Sequence, residues 1–323
     1  MPLIENTYYN PPFIYRNAHL QTMLPTLLRR VSSFIYTRVR IETPDEDFID
    51  LDISGAGKSS SAVILCHGLE GSSDRHYMRG MVRAFNAHGI DAICYNYRGC
   101  SGEMNRNLRM YNAGATDDLD TVVSHVRENS GYMKLYLAGF SLGANLVLRY
   151  AGENGDALDP SIKGIVAVSA PCDLKSSAVE IHRTRNYLYH KRFLIMLLAK
   201  MREKAKSHPE LSRIDLESIK TLGDFDNLLT APIHGYRDAE DYWQRASCRP
   251  ILHRITVPSL IMNALDDPIF GNDCYPFNEA EQSEYVFLET PARGGHVGFM
   301  RYPGDHEYWH ETRALEFIRE HCA

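Results

Sequence analysis

Leu135-Tyr-Leu-Ala-Gly-Phe-Ser-Leu-Gly-Ala-Asn-Leu-Val-Leu-Arg-Tyr150 is the stretch on which the fold turns. Its first four residues read as a buried strand, Ala144 to Tyr150 read as a helix, and Gly139-x-Ser141-x-Gly143 sits between them. A strand that becomes a helix so quickly needs a turn tight enough to strain the serine backbone. Side chains at 139 and 143 would collide with neighbouring backbone there, and glycine removes the collision. The same turn lifts the Ser141 hydroxyl above the sheet and sets a helix N-terminus beneath it, with free N–H groups and positive potential. Ser141 is thus the candidate nucleophile, and the Leu142 N–H is a candidate donor to an oxyanion.

Outward from this motif, short runs rich in Val, Ile and Tyr alternate with helical stretches. The runs at 62–66, 91–95, 135–138, 164–169, 259–263 and 285–289 read as strands, and 77–88, 116–129, 142–152 and 309–320 as amphipathic helices. That alternation predicts the α/β class, with a mostly parallel central sheet flanked by helices. Segments 38–42 and 48–53 flank the turn Pro44-Asp-Glu-Asp47 and read as an antiparallel pair at the sheet edge. Residues 1–323 are expected to form a single domain. The rhythm breaks over 172–250, which reads as an inserted helical cap region. Within it, 187–206 is apolar in the middle and basic at both ends, fitting either a substrate lid or a hairpin packed on the body.

A serine hydroxyl is nearly un-ionised at neutral pH, so it needs a base and a group that holds the base in the right tautomer. In the α/β-hydrolase fold the order along the chain is serine, acid, histidine, each on a loop after a strand. His296, in Arg293-Gly-Gly-His-Val-Gly298, follows the last strand between glycines that let its loop approach Ser141. Asp266 and Asp267 follow the strand before it. Asp267 is the preferred acid, since Ile269 two places on fits the usual loop, while Asp266 remains the alternative. A second oxyanion donor is expected from Cys66-His-Gly-Leu-Glu-Gly71, with the Leu69 N–H as candidate and a plain βα turn as the simpler reading. Cys66 is a poor nucleophile candidate, because adjacent strand residues point to opposite faces.

The composition excludes other classes. A formal charge of −6 argues against nucleic acid, whose phosphates need a concentrated positive surface. Seven scattered cysteines without a Cys-x-x-Cys pair suggest reduced thiols and a cytoplasmic setting. The first residues lack the pattern of a secretory signal, and no apolar run approaches a transmembrane length. His306-Glu307-Tyr-Trp-His310 spells a zinc-hydrolase motif, yet it reads better as the solvent-facing first turn of a final helix opening at Pro303-Gly-Asp305. No metal or other cofactor is expected.

Taken together, Asn17-Ala-His-Leu-Gln-Thr-Met-Leu-Pro-Thr-Leu-Leu28, His67-Gly-Leu-Glu-Gly71, Asn96-Tyr-Arg-Gly-Cys-Ser-Gly-Glu103, 139–145, 263–268 and Gly294-Gly-His-Val-Gly-Phe299 give the chain a family likeness. It resembles, over nearly its whole length, the YheT-like branch of the α/β-hydrolase superfamily, whose eukaryotic relatives include lipid-acting hydrolases and yeast ester synthase/esterases. The resemblance implies a triad of Ser141, Asp267 and His296 and hydrolysis of carboxylic esters. Acyl transfer to alcohols shares that triad, and a non-catalytic scaffold binding an apolar ligand is the rival of another class. A small-molecule ester or lipid is the expected partner, short or medium in its acyl chain if Phe193, Leu194, Ile195, Met196 and Leu197 line a channel. Residues 19–28 read as an amphipathic helix that covers the body or makes peripheral contact with lipid, packing being favoured. Oligomeric state is not legible.

Overall fold

Strand periodicity of two makes a sheet with two buried faces, and the computed structural model has that organisation; it describes every residue except 1, 2, 6, 32, 33, 56, 58, 303–306 and 323. Among the described residues the strands are β1 (Leu3–Ile4), β2 (Thr37–Glu42), β3 (Phe48–Ser54), β4 (Ser61–Cys66), β5 (Asp91–Asn96), β6 (Lys134–Phe140), β7 (Ile162–Val168), β8 (Ser259–Met262) and β9 (Val286–Glu289). They form one sheet in the order β1-β9-β8-β7-β6-β4-β5-β3-β2. Neighbours from β1 across to β5 are parallel. The expected edge pair β2 and β3 is antiparallel, and β3 joins the rest antiparallel to β5.

Helices account for the apolar character of both faces. They are α1 (Ala18–Leu28), α2 (His76–Ala87), α3 (Thr116–Asn129), α4 (Leu142–Asn154), α5 (Leu174–Ile181), α6 (Tyr187–Lys204), α7 (Leu222–Phe225), α8 (Ala231–His234), α9 (Ala239–Ala246), α10 (Phe277–Glu281) and α11 (Trp309–His321). Along β4, Ala62, Ile64 and Cys66 pack with Leu119 and Val122 of α3 and Leu146 of α4. Val63 and Leu65 pack on the opposite side with Met81 and Phe85 of α2 and Phe317 of α11. Each of the larger aliphatic and aromatic side chains here contributes ~1.5–3 kcal/mol by leaving water, before the entropy of ordering it.

Between β7 and β8 the described residues are helical or irregular, with no strand. α6 covers most of the expected 187–206 helix, and Leu197, Leu198 and Met201 on it pack with Leu211, Phe225 and Leu229 into a separate small core. One turn of π-helix, Asp226–Thr230, joins α7 to α8.

One expectation gains a detail and another needs correction. α1 does pack on the body, but it turns its polar side inward: Gln21 is buried, whereas Leu27 and Leu28 are 61% and 68% exposed. His310 lies in the first turn of α11, yet it is fully buried rather than facing solvent. Glu311 beside it makes a two-pronged ion pair with Arg29, just past α1, and Trp309 packs against Tyr9 and Phe299. The N-terminal segment therefore roofs this turn, a long-range contact that local sequence does not reveal. His306 and Pro303-Gly-Asp305 lie outside the described residues.

Candidate active site

β6 ends at Phe140 and α4 begins at Leu142, so Ser141 alone makes the reversal, at φ 53° and ψ −120°. An L-residue rarely holds a positive φ, and the surroundings over-determine this one. Ser141 N–H donates to the Val168 carbonyl at 2.9 Å, and its carbonyl accepts from Ala144 and Asn145. A Cβ on Gly139 would overlap the Gly143 carbonyl, and one on Gly143 would overlap the carbonyl oxygens of Cys66 and His67. Both glycines are required by close backbone approach.

His296 Nε2 lies 2.8 Å from Ser141 Oγ, and its Nδ1 lies 2.7 Å from Asp267 Oδ2. The structure thus joins the three residues into one chain of hydrogen bonds. Asp267 is buried, with its other oxygen accepting the Ile269 N–H at 2.9 Å, so the carboxylate is fixed at both ends. Asp266 points elsewhere and accepts the Gly295 N–H at 2.9 Å. Burial raises the Asp266 carboxyl above the usual carboxylate range. The histidine loop itself is bent through positive φ at Gly295, Val297 and Phe299.

That loop is held by partners the sequence did not announce. Thr22 Oγ1 of α1 accepts the His296 N–H, and Ser169 Oγ accepts the Val297 N–H, each at 2.9 Å. Gln21 accepts the Met300 N–H and donates to Tyr9, whose hydroxyl donates to the Met300 carbonyl. A Cβ on Gly295 would meet the Ala18 carbonyl at 2.6 Å, so α1 seats directly on the loop. The only prior signal was the 17–28 segment quoted above, whose Asn17 caps α1 by accepting the Leu20 N–H.

On the other side of Ser141, the loop after β4 is braced residue by residue. Gly68 N–H donates to the Tyr77 hydroxyl at 3.1 Å, and Glu70 N–H to the Tyr111 hydroxyl at 2.9 Å. The N–H of Leu69 between them, like that of Leu142, has no protein acceptor among the described residues. A Cβ on Gly68 would lie 3.2 Å from the Ser141 Cβ, so this loop borders the hydroxyl. His67 is structural: Tyr97 N–H donates to its Nε2, which leaves Nδ1–H to donate to the Gly68 carbonyl. Burial lowers its pKa to about 3 and keeps the ring neutral. Burial also pushes the Cys66 thiol up, making a thiolate there unfavourable.

Two chambers meet at Ser141 and His296. The larger runs under the β7–β8 helices, lined by Leu142, Phe193, Leu197, Leu229 and Ile233, with Asp226 also in its wall. The smaller lies between α1 and α6, lined by Met23, Thr26, Arg75, Leu188, Arg192 and Met196. Of the expected channel residues, Phe193 borders both chambers, Leu197 the first and Met196 the second. Leu194 packs into the small core instead, and Ile195 faces outward.

Residues 61–302 match the profile of the family described as alpha/beta hydrolase fold. The chain is 34% identical to YheT of Escherichia coli (strain K12), a candidate esterase by name, over 94% of this chain and 91% of that one. It is 32% identical to a monoacylglycerol lipase of Saccharomyces cerevisiae over 80% of this chain and 58% of the yeast protein. In fold it is similar to the solved Pyrococcus furiosus esterase Pf2001, with a TM-score of 0.61 at 19% identity, covering 98% of this chain and 99% of that one.

Proposed function

The chain belongs to the alpha/beta hydrolase fold family, in its YheT-like branch, and from that premise we propose that it is a serine esterase cleaving short- to medium-chain carboxylic esters. Ser141 Oγ attacks the ester carbonyl while His296 Nε2 takes its proton. Asp267 keeps the His296 proton on Nδ1 and stabilises the imidazolium that forms. The oxyanion accepts from Leu69 and Leu142 N–H, donors whose individual loss typically costs ~10²–10³ in turnover. The alcohol leaves with the proton returned by His296. Water, deprotonated by the same ring, then attacks the acyl-enzyme and releases the acid.

The observation that carries this reading is the unbroken chain from Ser141 Oγ through both His296 nitrogens to Asp267, beginning at a strained elbow. The apolar larger chamber suits the acyl chain, and the smaller one suits the alcohol. The helices over 172–250 would act as an inserted cap on one domain spanning 1–323, and the seven free cysteines, six of them buried, favour a cytoplasmic setting. Acyl transfer would use the same triad with an alcohol in the smaller chamber, and product analysis with added alcohol separates it from hydrolysis.

A fluorophosphonate probe should label Ser141 in the folded protein and not Ser141→Ala, with turnover of p-nitrophenyl esters lost in the same variant. Unlabelled wild-type protein without ester turnover would mean a binding scaffold instead.

A further inference from the structure

α1 is a helix built inside out. Its inward side is Gln21 and Thr22, which hold the histidine loop, with Pro25 buried beside them, while Leu20, Met23, Leu27 and Leu28 recur at helical spacing on the solvent side. Such a face loses hydrophobic free energy in water unless something covers it. α6, its neighbour across the smaller chamber, packs Leu197, Leu198 and Met201 inward but also carries apolar side chains on its solvent side. His19 Nδ1 of α1 lies 3.0 Å from the Tyr189 hydroxyl, fixing the two helices side by side. Leu188 and Ile195 of α6 are 64% and 56% exposed, on one stripe with Lys191 and Arg192.

Charge says what the cover is. The whole chain carries −6, yet residues 6–41 contain no Asp or Glu, and neither do residues 181–202. Most arginines elsewhere are paired with carboxylates. Arg16, Arg30, Lys191 and Arg192, by contrast, make no ion pair among the described residues. A mixture of exposed leucines and unpaired cations is the composition of a segment lying in a membrane interface. A second copy of the chain fits badly, since a two-fold contact would press this positive face against itself. No helix among the described residues is long and apolar enough to cross a bilayer.

We propose that α1 and α6 form a docking face for an anionic lipid bilayer, with the smaller chamber opening between them. Leu20, Leu27, Leu28, Leu188 and Ile195 enter the headgroup boundary, and Arg30 and Lys191 lie against lipid phosphates. Because Met23, Leu188 and Arg192 also line the smaller chamber, a lipid ester leaving the bilayer would reach Ser141 without crossing water. This deepens the esterase reading by giving its substrate a source, but the docking itself does not depend on turnover.

Vesicle co-sedimentation with the full chain carrying Ser141→Ala tests the docking. The protein should pellet with phosphatidylglycerol/phosphatidylcholine vesicles at low salt, and at least about tenfold more weakly with phosphatidylcholine alone. Leu27→Asp with Leu28→Asp should abolish pelleting. Arg30→Glu with Lys191→Glu should abolish the preference for anionic lipid. With Ser141 restored, both double variants should turn over a water-soluble ester at the wild-type rate, which shows that they fold. Protein that stays in the supernatant with both kinds of vesicle overturns the proposal. So does pelleting that both double variants leave unchanged, or a dimer in sedimentation velocity that these variants dissociate in place of any vesicle binding. Pelleting without ester turnover would sink the esterase reading and leave the docking face standing.

Discussion

Lys200 of α6 reaches the Glu70 carboxylate at 2.7 Å, with both side chains less than a tenth exposed. Glu70 is the residue after Leu69, and the Tyr111 hydroxyl donates to the same carboxylate oxygen at 2.6 Å. The helices between β7 and β8 are thereby tied to the loop that carries the proposed oxyanion donor.

Lys200→Met should therefore strand a buried carboxylate and cost ~3–5 kcal/mol in denaturant unfolding. Turnover should fall as well, because the Leu69 N–H is no longer held in place. Adding Glu70→Gln removes the uncompensated charge and should recover most of the stability. A double variant as unstable as the single one would disprove the ion-pair account.

Asp267→Asn should lower kcat by ~10⁴, because an amide cannot hold the His296 proton on Nδ1. Asp266→Asn keeps an oxygen for the Gly295 N–H and should leave kcat within about tenfold of wild type, since it makes no contact with the ring. Steady-state kinetics of the two variants, side by side, would separate the neighbouring carboxylates; equal losses would contradict the assignment.

The elbow was readable because its constraints are local. Gly139 and Gly143 face backbone within a few residues or on the adjacent strand loop, so the motif encodes its own geometry. The parallel strands were readable because both their faces are apolar. β1 was not: Leu3–Ile4 is a two-residue strand whose identity comes wholly from pairing with β9. The inversion of α1 and the burial of His310 escaped for the same reason. Each depends on a partner hundreds of positions away, such as Glu311 for Arg29 or Met300 for Gln21. Periodicity marked 19–28 as amphipathic without saying which side faces in.

Thr22→Val should leave the His296 N–H buried without an acceptor, at ~1–3 kcal/mol. The expected kinetic signature is a lower kcat with little change in KM, because the ring shifts while the chambers stay intact. Thr22→Ser keeps the hydroxyl and should restore the rate. A rise in KM alone would place Thr22 in substrate binding instead.

Asp226, in the π-turn at the wall of the larger chamber, accepts from Thr230 Oγ1 and Trp243 Nε1. Burial raises its pKa to about 6, so between about pH 4 and pH 6 the folded state keeps a proton that the unfolded chain has released. The folded form binds more protons there, so the contribution of this group to stability is full at low pH and is lost as pH rises through 6. Asp226→Asn should thus stabilise the protein on the order of 2 kcal/mol at about pH 7 and change little near pH 4. Chemical denaturation across that range would check it; a pH-independent difference would contradict the protonation account.

The hydrogen bond from the His296 amide to Thr22 spans 274 positions. On the ribosome, the elbow around Ser141 emerges before Asp267 and His296 have been made. Its hydroxyl then has neither of these side chains beside it, although α1, whose Thr22 will hold the His296 amide, has already been made. Translation thus makes the proposed nucleophile before the histidine and carboxylate that would activate it, so the hydrogen-bonded chain can close only after residue 296 has been made.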